Sequence, residues 1–173
     1  MKLDDVRAFI RDVSDFPQPG IAFKDITPVL GSAAAFSTVL DVMIEPFHGK
    51  VDLVAGVEAR GFILGAPAAV RLGAGFVPIR KPDKLPWQTV SQPYELEYGA
   101  DAVEMHVDAM IDGQRVLLID DVLATGGTAA AAVALIEGSD ATLVGASFLI
   151  ELSFLNGRSK MEHVDTHSVF TYE

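Results

Sequence analysis

Residues 116 to 128 hold the densest chemistry in the chain. The apolar run Val116-Leu117-Leu118-Ile119 ends in two adjacent carboxylates, Asp120 and Asp121. Val122-Leu123-Ala124-Thr125-Gly126-Gly127-Thr128 follows directly, and Ala129 to Ile136 are mostly good helix formers. A strand, an acidic tip, a small-residue loop and a helix start together make an anion site. First-turn amides have no partner inside a helix, and the helix dipole is positive at that end. Gly126 and Gly127 allow the backbone to approach an anion closely, Thr125 and Thr128 add hydroxyl donors, and Thr128 also suits a helix N-terminus. The loop lacks the Gly-Lys-Ser/Thr of a Walker loop and the Gly-x-Gly-x-x-Gly of a dinucleotide site. Two carboxylates beside an anion pocket make sense if they face vicinal hydroxyls. A ribose phosphate satisfies both halves of the motif.

Charge sharpens this reading. The formal net charge is −11, which excludes a nucleic-acid backbone as partner. The cations are unevenly placed: Arg80, Lys81 and Lys84 cluster, with Arg60 upstream, while Leu85 to Gln114 holds no Lys or Arg. That same stretch carries Glu95, Glu97, Asp101, Glu104, Asp108 and Asp112. An acidic protein that concentrates cations beside a turn holds a compact polyanion there. His48, His106, His163 and His167 show no metal-ligand spacing, and the absence of cysteine excludes thiol catalysis and disulfides. No apolar run approaches the roughly 20 residues that span a bilayer, and residues 1–7 show no signal-peptide core. The expectation is a cytoplasmic protein with no membrane partner, its 173 residues forming one domain.

Elements that position these groups follow from apolar spacing. Leu3, Val6, Phe9, Ile10 and Val13 predict a helix over 3–14, broken by Pro17, Pro19 and Gly20. Phe36, Val39, Leu40, Met43, Ile44 and Phe47 predict a second helix ending near Gly49. Strands are expected at 51–57, 76–79 (with Pro78 as a flaw), 115–119, 142–151 and 167–171, and helices at 60–72 and 128–137. Asn156-Gly157 reads as a turn. Residues 81–100, interrupted by Pro82, Pro86, Pro93 and Gly99, read as a lid or short hairpin, with 102–107 as one arm. Alternating strands and helices imply an α/β fold whose mainly parallel sheet presents ligands at its carboxyl ends.

The segment Leu118 to Thr128 resembles the phosphoribosyl-pyrophosphate (PRPP) signature of type I phosphoribosyltransferases. Phe16-Pro17-Gln18-Pro19-Gly20-Ile21-Ala22-Phe23-Lys24-Asp25-Ile26-Thr27-Pro28 resembles the adenine-specific branch of that family. So do Gly56-Val57-Glu58-Ala59-Arg60-Gly61-Phe62, Arg80-Lys81-Pro82-Asp83-Lys84-Leu85-Pro86 and Leu96-Glu97-Tyr98-Gly99. The resemblance implies a central, mainly parallel sheet flanked by helices, with residues 1–30 as a base-binding hood and 81–100 as a flexible lid. It implies transfer of a 5-phosphoribosyl group from PRPP to adenine in purine salvage, giving AMP and pyrophosphate. Asp120, Asp121, Ala124, Thr125, Gly126, Gly127 and Thr128 would bind the 5-phosphate and ribose. Glu58, Ala59, Arg60, Arg80, Lys81 and Lys84 would take pyrophosphate, and Ala22, Phe23 and Lys24 adenine. Glu97 would handle the proton. Mg²⁺ would be carried by PRPP, reaching Asp120 and Asp121 only through water, and the implied assembly is a homodimer. Lys24 stands where the family often carries Arg. Two alternatives remain open at this point: a phosphoribosyltransferase for hypoxanthine/guanine, and a PRPP-sensing regulator.

Overall fold

A computed structural model describes residues 1–96 and 99–173. The chain divides into two compact units, Met1–Val42 and Met43–Glu173.

The first unit opens with α1 (Leu3–Arg7), whose first-turn Asp4 and Asp5 and last-turn Arg7 suit the helix dipole. The helix expected over 3–14 stops there. Residues Arg11–Ser14 instead form β1, paired antiparallel with β2 (Ala22–Asp25) so that Val13 faces Phe23 and Arg11 faces Asp25. Asp12, Val13 and Ser14 are weak helix formers, and a strand partner supplies the hydrogen bonds that a marginal helix could not hold. Gly20, at φ +87, donates its N–H to Asp15 Oδ1 at 2.7 Å in the connecting turn. Asp25 accepts the Thr27 N–H (2.9 Å) and hydroxyl (2.8 Å) at the start of α2 (Thr27–Leu30). α3 (Ala33–Ile44) begins three residues earlier than its apolar stripe, because the Ser32 hydroxyl accepts the Ala35 N–H at its start.

The second unit is built on a parallel five-stranded sheet. β3 (Leu53–Val57), β4 (Gly75–Ile79), β7 (Arg115–Leu123), β8 (Thr142–Leu152) and β9 (Thr166–Tyr172) stand in the order β4-β3-β7-β8-β9. α4 (Arg60–Leu72) connects β3 to β4, and α5 (Gly127–Glu137) connects β7 to β8. Val116, Leu117, Leu118 and Ile119 are fully buried, as a central strand covered on both faces requires. Pro78 is tolerated because β4 is an edge strand, where a missing N–H costs no ladder bond. β5 (Thr89–Leu96) and β6 (Gly99–His106) form a separate antiparallel ribbon, so the segment 81–100 is not a continuous loop. Arg80 and Glu104 exchange backbone hydrogen bonds of 2.9 and 2.7 Å, tying β6 to the end of β4. No helix among the described residues is long and apolar enough to cross a membrane.

Candidate active site

The acidic pair lies inside β7 rather than beyond its tip, since the strand runs on to Leu123. Asp120 pairs in register with Phe148, and Leu123 with Glu151. The extension has a physical cause: Val122 and Leu123 keep their ladder partners on β8, so pairing outlasts the interruption in hydrophobicity. After Ala124 and Thr125 comes Gly126 in the left-handed region (φ +76), and α5 begins at Gly127. Gly126 is thus the helix N-cap and Thr128 the second helical residue, which corrects its expected place at the helix start. Thr125 is exposed and Thr128 half-buried. The first-turn amides of this 11-residue helix have no carbonyl four residues back within it. Free first-turn amides and the positive end of a helix dipole in general favour anions.

Asp121 is 5% exposed. Burial pushes its carboxyl above the ordinary carboxylate value, a rise that Arg60 opposes. Asp120 is raised well above that value, first by burial and then by the charge of Asp121. Arg60 Nε stands 2.6 Å from Asp121 Oδ2, yet that buried oxygen has no hydrogen-bond donor aligned on it among the described residues. The contact is a close charge pair with imperfect direction. Gly61 explains how α4 comes so near: a Cβ there would stand 2.9 Å from both Ile119 O and Asp120 Oδ1. The helix start packs directly on β7, which delivers Arg60 to the acids.

Glu58 is the organiser of the cations from the next strand. The Glu58–Ala59 peptide is cis, and the Glu58 N–H bonds Ile79 O at 2.9 Å. Its Oε2 accepts from Arg80 Nε (3.0 Å) and from the Lys81 N–H (2.9 Å). Arg80 also donates from Nη1 to Lys84 O at 3.1 Å and lies 5.8 Å over the Phe62 ring. Lys81 Nζ donates to Tyr94 Oη at 2.7 Å and to Asp101. Partial burial pulls the Lys81 ammonium down, but the bonds to Asp101 and Tyr94 outweigh it and leave the group raised. Asp101 is correspondingly lowered by the Lys81 bond and by the Ala102 N–H. Ala59 and Lys84 are exposed. Sequence reading found the cations and missed Tyr94 and Asp101, because partners 13 and 20 residues from Lys81 leave no local signal.

Tyr94 and one further residue that sequence reading missed, Gly157, approach the loop and the helix start. Tyr94 approaches the first turn of α5, its ring 3.2 Å from where a Gly127 Cβ would stand. Gly157, read only as part of a turn, touches the loop itself: a Cβ on Gly126 would stand 2.3 Å from Gly157 O. A cavity of about 280 Å³ opens beside α5, lined by Gln92, Tyr94, Gly127, Ala130, Ala131 and Lys160 among others. In the first unit, Ala22 is exposed, and half-buried Phe23 meets Phe16 edge-on with ring centroids 5.2 Å apart. Lys24 Nζ pairs with Asp12. Glu97 lies outside the described residues. Among the described residues no group of three or more His, Cys, Asp or Glu could hold a metal ion.

Comparison with known proteins bears on this arrangement. A phosphoribosyl transferase domain model matches residues 31–172. The chain is similar to an adenine phosphoribosyltransferase of Thermobifida fusca, 56% identical over 164 residues that cover 94% of this chain and 93% of the relative. One from Acidothermus cellulolyticus is 59% identical over 157 residues, covering 90% and 89%. Among solved structures, adenine phosphoribosyltransferase from Thermoanaerobacter pseudethanolicus superposes with a TM-score of 0.95 at 49% identity, covering 99% of this chain and all (100%) of the other. The Saccharomyces cerevisiae enzyme, solved with an imino-altritol bisphosphate and adenine, gives 0.91 at 37% identity, covering 96% and 97%.

Proposed function

The chain belongs to the adenine phosphoribosyltransferases, of the type I phosphoribosyltransferase family, and we propose how its own residues divide that family's task. The enzyme joins adenine to the 5-phosphoribosyl group of PRPP, giving AMP and pyrophosphate in purine salvage. In this reading Ala124 to Thr128 receive the 5-phosphate, and Asp120 and Asp121 face the ribose hydroxyls. The observation that carries it is the acid pair on β7 running straight into the open first turn of α5.

A nitrogen of adenine attacks the anomeric carbon as the bond to pyrophosphate oxygen breaks, and positive charge gathers on the sugar. Arg60, Arg80, Lys81 and Lys84, with the backbone at Glu58 and Ala59, hold the departing pyrophosphate. Glu58 serves chiefly by holding Arg80 and the Lys81 amide in place. Two adjacent carboxylates suit Mg²⁺, which keeps waters and takes substrate oxygens as ligands. Asp120 and Asp121 would hold it, through water, and the ion would supply neutralisation of pyrophosphate charge. Phe23 would stack on the base while the backbones of Ala22 and Lys24 read its edge. Glu97 would accept the proton that adenine loses. The segment 81–100 would close over the site and exclude water. A second copy of the chain is the partner that this reading implies. The cytoplasm is the fitting compartment, because PRPP and AMP are too highly charged to cross a membrane unaided.

Turnover of PRPP with adenine, hypoxanthine and guanine tests the base assignment. Adenine should be preferred at least ~100-fold in kcat/KM, since a mispaired base strands a buried polar group. Equal use of hypoxanthine or guanine would remove the role given to residues 22–24.

A further inference from the structure

We propose that Gly157 and Arg158 are positioning residues for the anion loop, setting the backbone that receives the 5-phosphate. The proposal rests on the loop's assignment above. A Cβ built on Gly157 would stand 2.1 Å from Ala124 O and 2.8 Å from Gly126 N, and one built on Gly126 would meet Gly157 O at 2.3 Å. The two stretches therefore meet main chain to main chain, with no side chain between them to absorb a shift.

What holds Gly157 is equally specific. It opens a 3-10 turn, Gly157–Met161, whose next residue grips the sheet. Arg158 forks Glu151, from Nε to Oε1 at 2.9 Å and from Nη2 to Oε2 at 2.5 Å, and donates from Nη1 to Thr166 O at 2.8 Å. Ser168 donates to Glu151 Oε2 at 2.7 Å. Glu151 is 7% exposed and is the ladder partner of Leu123, the residue just before Ala124. Hydrogen bonds from Arg158 lead in holding the Glu151 carboxyl below its ordinary value, so the pair stays charged at neutral pH. At the far end of the turn, Met161 is fully buried in the core cluster that includes Ala131, Ala132 and Leu135 of α5. The turn is thus pinned to β8, β9 and α5, and the loop rests on it.

Gly157→Ala must push the Ala124 carbonyl, 2.1 Å from the new Cβ, away by roughly 1 Å, and misplacement of that size costs about 100-fold in a positioned site. Arg158→Lys keeps the charge but loses the fork, and about a tenfold loss is expected. Binding of ribose 5-phosphate and of magnesium pyrophosphate is measured separately by calorimetry, with KM and kcat for PRPP and a melting curve for each variant. Expected is a loss of ribose 5-phosphate affinity and a raised KM for PRPP, with pyrophosphate affinity unchanged. Retained ribose 5-phosphate affinity, or equal loss of both ligands, overturns the proposal. Should Gly157→Ala fail to fold, Arg158→Lys carries the same comparison. Wild-type protein that binds pyrophosphate but no ribose 5-phosphate would instead overturn the loop's own assignment.

Discussion

Arg60→Ala should expose two separate tasks of one side chain. The guanidinium stands 2.6 Å from Asp121, whose side chain is 7% exposed while that of Arg60 is 38% exposed. Removing one partner of a buried ion pair costs about 3–5 kcal/mol, and screening at the half-open arginine reduces that here to about 2 kcal/mol. For a chain of this length the melting temperature should fall by about 4–8 °C. Losing a charge-assisted contact to pyrophosphate costs about 1.5–3 kcal/mol, or about 10- to 100-fold in affinity for PRPP, with adenine little affected. Adding Asp121→Asn separates the two. The double variant no longer buries an unpaired carboxylate, so most of the melting temperature should return while pyrophosphate affinity stays low. The melting deficit of the single variant should also shrink in acid, where Asp121, already raised by burial, takes up a proton. Thermal melting and calorimetry with magnesium pyrophosphate read both quantities. Recovery of affinity along with stability would refute the reasoning, since Arg60 would then act only by holding Asp121.

Asp120→Asn should nearly abolish turnover yet stabilise the ligand-free protein. Burial raises the native Asp120 carboxyl above its unfolded value, so the stability it contributes is present in acid and lost as pH rises through the native value. The variant should therefore melt above wild type at about pH 8, the gap closing towards about pH 4; equal melting throughout would contradict the burial argument. Glu97→Gln should lower kcat by ~10²–10⁴-fold with little change in ligand binding, and Glu95→Gln and Glu104→Gln serve as controls. If all three behave alike, the proton leaves by another route. Hydrogen exchange across 81–100 should slow when PRPP and Mg²⁺ bind, and unchanged exchange would mean that this segment does not close.

Local chemistry made much of this molecule readable from the chain alone. The strand, acid pair, small-residue loop and helix of 116–137 follow one another within the reach of backbone preferences, so the order of these elements was legible directly. The central strands were equally plain, because burial on both faces demands unbroken apolar runs such as Val116 to Ile119. The end of α1 was not, since whether residues 11–14 coil or extend depends on β2, a partner that local spacing cannot represent. The pairing of Arg60 with Asp121 depends on Gly61 letting α4 settle against β7, and the restraint of Lys81 depends on Tyr94 and Asp101 arriving from the ribbon. The seat of the anion loop on Gly157 joins residues some 30 apart. Sequence determined which groups could bind and react, through composition and short-range order. Only the tertiary structure decided which charges neutralise one another and what holds the loop still, because those depend on distances between segments far apart in the chain.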